Sequence, residues 1–169
     1  MRLLPGLIFA LLSLGAAAQE PRAPASALRL VIEYREGIFY LHQSLPIRTV
    51  LPDSDPEPKT DAGEAHAGFW IELQSQAGVV LYRKVMADPL AVHSETFDPI
   101  SGELRRDDFI PQQQFFSIVV PDTAEGRKVA IFSSAVGNLA TPSAPTGEEI
   151  RAARAQGAVP VGVVELPPK

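Results

Sequence analysis

Apolar and polar residues alternate with a period of two along much of this chain, the pattern of strands with one face in a core and the other in water. ALRLVIEYR puts Leu28, Leu30, Ile32 and Tyr34 on one face and Arg29, Glu33 and Arg35 on the other. Gly37 reads as a turn glycine. IFYLHQ and LPIRTVL follow as short extended segments, Pro46 favouring an edge or a bend. AGFWIELQSQAGVVLYRKVM, residues 67–86, reads as two strands around a tight turn. Pro89, Pro99, Gly102 and Pro111 then break the chain, leaving a short strand over residues 90–96 and a charged turn at GELRRDD. QFFSIVVP and VAIFSS are apolar on both faces, as central buried strands are, and are expected to be neighbours in the core.

One segment switches period. In TGEEIRAARAQG, Thr146 and Glu149 fit a capping box, Gly157 a C′ glycine and Pro160 a stop, so a helix is predicted over about residues 147–156. The VPVGVVELPP tail offers an edge strand, weakened by Pro160 and Gly162. Seven or eight short strands without βαβ alternation predict an all-β fold, an antiparallel β-sandwich with a short C-terminal helix. Over residues 28–134 this architecture resembles the immunoglobulin and fibronectin type III group, without the cysteine pair of true immunoglobulin domains. A partly open β-barrel is the alternative.

The first residues change the picture of where this fold sits. MRLLPGLIFALLSLGAAAQE has a basic start at Arg2, an apolar stretch shorter than the ~20 residues of a membrane span, and a small-residue site at Ala16 to Ala18. Residues 1–18 therefore read as a signal peptide for a secreted or periplasmic protein. Residues 19–26 are a Pro/Ala-rich leader, residues 27–135 the β domain, and residues 136–169 a linker, the helix and the tail. Without the signal, the formal charge moves from −5 to −6. That argues against nucleic acid or anionic lipid, both of which are bound mainly through Lys and Arg clusters. With no cysteine in the chain, the fold is expected to be held by its core alone.

The hairpin at residues 67–86 carries the candidate binding face. A three-residue loop of Gln76, Ala77 and Gly78, with Gly78 left-handed, pairs Leu73 with Leu81 and Phe69 with Val85. Phe69, Ile71, Leu73, Leu81 and Val85 then form an apolar face interrupted by Arg83. Trp70, Tyr82, Lys84 and Met86 gather on the other, beside Glu72 and Gln74. Such a platform suits a sugar or a peptide strand, unless the long loop, the helix or the tail packs over it.

Reactive chemistry is sparse. His42, His66 and His93 lack zinc-site spacing, no HExxH, GxSxG or SxxK occurs, and a Met86–His93 copper pair is a weak coincidence. Arg105, Arg106, Asp107 and Asp108 read as a self-neutralising surface turn. The proline-rich loop over residues 51–68 carries Asp53, Asp55, Glu57, Asp61 and Glu64, a weak calcium candidate without EF-hand spacing. The expectation is a non-catalytic exported module, with no cofactor, that binds a protein, envelope component or glycan. An accessory spacer comes second and a small hydrolase a distant third.

Overall fold

The computed structural model describes residues 23–56, 68–139 and 145–168, so the expected signal peptide and half of the expected leader lie outside the described residues. Strands account for 54% of it and helices for 9%, which makes the protein all-β. The strands are β1 (Ala25–Arg35), β2 (Ile38–Thr49), β3 (Phe69–Gln74), β4 (Val80–Met86), β5 (Val92–Phe97), β6 (Leu104–Phe109), β7 (Gln113–Pro121), β8 (Lys128–Ser133) and β9 (Val159–Glu165). Two helices, α1 (Ser134–Gly137) and α2 (Gly147–Arg154), lie between β8 and β9. All pairing is antiparallel, in sheets ordered β2-β1-β7, β4-β3-β8-β9 and β5-β6. No sheet among the described residues closes into a barrel. In an immunoglobulin constant-type order the first strand lies at a sheet edge. Here β1 is central, so the resemblance does not extend to strand order.

The two larger sheets share one core. Leu30, Ile32 and Tyr34 of β1 meet Phe69, Ile71 and Leu73 of β3 and Val129 and Ile131 of β8, with Ile118 and Val120 from β7. Phe116 reaches across to Phe69, ring centroids 5.9 Å apart. Glu36 and Gly37, with φ of 50° and 89°, form the two-residue turn between β1 and β2, where both residues need positive φ. At the β2–β9 side the sheets approach closely. A Cβ on Gly162 would stand 2.5 Å from the Phe39 ring, so the missing side chain there is what admits Phe39. The tail thus completes the four-stranded sheet within its own chain.

Three expectations are corrected. β7 is an edge strand rather than a central one; it meets β8 across the core and not along a ladder. GELRRDD is not a turn, because Leu104–Phe109 pairs with Val92–Phe97. Asp108 is buried there, with Arg151 and Arg154 of α2 each 3.4 Å away and Arg106 3.6 Å away, so the carboxylate clamps the helix to the hairpin. The capping box at Thr146 and Glu149 is present. The helix ends at Arg154 on Ala155 in the right-handed region, however, and Gly157 is not a left-handed cap. The short α1, unforeseen, is capped by Ser133 Oγ, which accepts from the Val136 N–H.

Candidate functional site

The β3–β4 hairpin keeps the expected loop but not the expected faces. Ser75 N–H donates to Val79 O (2.9 Å), and Gly78 has φ of 84°, so Gln76, Ala77 and Gly78 are indeed the loop. Gln74 pairs with Val80, but Leu73 then pairs with Tyr82 instead of Leu81. This one-residue bulge sends every later side chain of β4 to the opposite face. Tyr82 enters the core beside Leu73, at 4% exposure. Arg83, which would have interrupted the apolar face, moves out and meets Glu72 at 2.8 Å. Trp70 therefore does not share a face with Tyr82, Lys84 and Met86.

Trp70 lies on the outer face of the four-stranded sheet, 8% exposed, its indole stacked on Phe132 with centroids 5.0 Å apart and planes 9° apart. Glu72 beside it accepts from Arg83 Nε (2.8 Å) and Gln74 Nε2 (2.8 Å). Aromatic and charged groups on this face are consumed by one another.

Lys84 and Met86 help to form a cleft. The segment after β2 crosses to the outer edge of β4, where Asp55 N–H donates to Arg83 O (2.9 Å) and Arg83 N–H to Ser54 Oγ (2.9 Å). Val85 N–H donates to Asp55 Oδ2 (2.8 Å), and Lys84 Nζ lies 3.1 Å from the same oxygen. These two contacts, the backbone one foremost, hold the Asp55 carboxyl below its usual range. Between this strap and β7 an apolar cleft of about 300 Å³ opens, lined by Leu51, Ile71, Met86, Ile118 and Val119 among others. The Lys84 stem lies along the cleft while its ammonium reaches Asp55 at the rim.

Of the calcium candidates, Asp53 is exposed, Asp55 is engaged by Lys84 and Val85, and Glu57, Asp61 and Glu64 lie outside the described residues. No group of three or more His, Cys, Asp or Glu among the described residues could hold a metal ion. No family model, curated protein or solved structure matches this chain. No helix among the described residues is long and apolar enough to cross a membrane. Among the described residues the half-buried Asp88 is the one carboxyl raised from its usual range, mainly by burial; it accepts from Leu90 N–H (2.9 Å) and Ser133 Oγ (3.0 Å). Ser133 also caps α1, so this pair ties β4, β8 and the helix together rather than arming a nucleophile.

A second surface was missed from the sequence. On the outer face of the three-stranded sheet, Tyr40, Glu33 and Phe115 occupy one row across β2, β1 and β7. Tyr40 is 38% and Phe115 46% exposed. The signal was present as QQFF, whose first phenylalanine has the same parity as the polar side of β1.

Proposed function

We propose that this is an exported, non-catalytic β-sandwich module that binds an apolar group of a cell-envelope component or protein in the cleft between β4 and β7. The observation that carries the reading is the cleft itself. It is concave and largely apolar, and the Lys84–Asp55 ion pair stands at its rim. Met86 in its wall suits an occupant of irregular shape. Two antiparallel sheets on one core support the sandwich description, and the signal-like pattern of residues 1–18, a basic start followed by an apolar stretch and small residues, supports export.

The test is calorimetric titration of the protein with laurate, whose aliphatic chain matches the apolar cleft. Saturable binding at one site is expected, lost in Met86→Trp, which fills the cleft, with the melting temperature kept. Absent or non-saturable heat, or unchanged binding in Met86→Trp, contradicts it. A spacer role is the second reading, favoured by the way β9 and α2 are clasped onto the domain. It gains if no ligand is bound.

A further inference from the structure

The outer face of the three-stranded sheet goes beyond the cleft, since none of Tyr40, His42, Glu33, Arg35, Gln113 or Phe115 lines it. We propose that this face is a platform for a linear neutral glycan. Strands stand about 4.8 Å apart, so the backbones of Tyr40 and Phe115, two strands apart in one row, are about 10 Å from each other. The next row carries Ile38, Arg35 and Gln113, and Ile38 is 54% exposed. Ile38, Tyr40 and Phe115 thus leave apolar surface partly in water on one face, as binding sites do.

The polar groups among the rings are held in place. Glu33, 8% exposed, lies beneath them; its Oε1 accepts from Gln113 Nε2 (2.7 Å) and pairs with Arg35 Nη1 (3.4 Å). Arg35 lies 5.0 Å from the centroid of the Tyr40 ring. His42, at the bulge in β2, turns its ring edge-on to Phe115 at 5.2 Å. A guanidinium, an amide and an imidazole thus stand at fixed places beside two exposed rings. That is the chemistry a sugar chain requires, with C–H faces on the rings and hydroxyls on the donors and acceptors between them.

Other occupants fit less well. A cationic ligand finds its position over Tyr40 taken by Arg35 and the carboxylate beneath already paired. A polyanion meets a chain of net charge −5. A protein partner would meet the Glu33 carboxylate at the middle of the patch, and glutamate is depleted at protein interfaces.

The experiment is native electrophoresis through gels containing a soluble neutral β-glucan, a soluble neutral α-glucan or polygalacturonate. Retardation by at least one neutral polymer and none by polygalacturonate is expected. Phe115→Ala and Tyr40→Ala should abolish it at an unchanged melting temperature, and Phe115→Trp should keep it. Gln113→Ala, which leaves both rings in place and tests the face should an alanine variant fold poorly, should weaken binding about tenfold, as loss of one hydrogen bond does. Met86→Trp, which blocks the cleft, should have no effect, so failure of the cleft and failure of this face are told apart. No retardation by either neutral polymer, retardation by polygalacturonate, or retardation unaltered by the three losses at the rings and Gln113 overturns the proposal.

Discussion

The two outer faces of the larger sheets are built from the same kinds of residue and end in opposite states. On the four-stranded sheet Trp70 stacks on Phe132, Glu72 is gripped by Arg83 and Gln74, and Trp70 and Glu72 are 8% and 6% exposed. On the three-stranded sheet Glu33 is gripped by Gln113 and Arg35 in much the same way, yet Tyr40 and Phe115 beside it stay 38% and 46% exposed. An aromatic residue on a solvent-side face is therefore not evidence of a site by itself. What distinguishes the faces is whether the rings find each other. Trp70 and Phe132 sit on hydrogen-bonded neighbours, β3 and β8, and stack face to face, whereas Tyr40 and Phe115 stand two strands apart and Phe115 meets His42 edge-on.

The comparison breaks first at its ion pairs. Arg83→Met leaves Glu72 charged in a site where the paired side chains are 12% and 8% exposed, a loss of about 3 kcal/mol. In a domain of this size that lowers the melting temperature by roughly 10 °C. Adding Glu72→Leu should recover most of it. Arg35→Ala removes the matching cation from the open face, where its side chain is 51% exposed, and should cost less than about 1 kcal/mol. Equal losses in the two single variants, by thermal melts, would make the faces energetically alike.

The smallest effect lies where the closed sheet meets the cleft. The Val85 N–H and Lys84 depress the Asp55 carboxyl in the folded state. Its stabilisation is therefore complete above the ordinary carboxylate range and lost as pH falls through the depressed folded value. Asp55→Asn should cost about 0.5 kcal/mol at neutral pH, as a partly exposed pair does, and the difference from the parent should vanish in acid. Urea titrations at neutral and acidic pH check this; a difference that widens in acid reverses the sign.

Much of the fold was legible because local chemistry dictated it. The alternation in β1 named Leu30, Ile32 and Tyr34 as core, and the capping box marked the start of α2. The loop at Gln76, Ala77 and Gly78 was legible too, since a left-handed position there favours glycine. The bulge at Leu81 was not, because one extra residue has no compositional signature, although an arginine on an otherwise apolar face was its symptom. β7 misled for a different reason. Apolar residues on both faces describe a buried central strand, but they also describe an edge strand that keeps Phe115 in water. β6 was hidden because the partners that neutralise Asp108 on α2 lie 43 and 46 residues further along the chain. Of the candidate site, Lys84 and Met86 were brought to the cleft and Trp70 and Tyr82 into packing, whereas Tyr40 and Phe115 needed the order β2-β1-β7 to be seen as one row.

That the two faces differ is tested most directly by hydroxyl-radical footprinting, read by mass spectrometry and normalised to each residue's intrinsic reactivity. Tyr40 and Phe115 should oxidise several-fold faster than Trp70, which should be protected like the core residue Tyr82. Oxidation of Trp70 at the rate of Tyr40 would mean that the four-stranded face is as open as the other and would contradict the account.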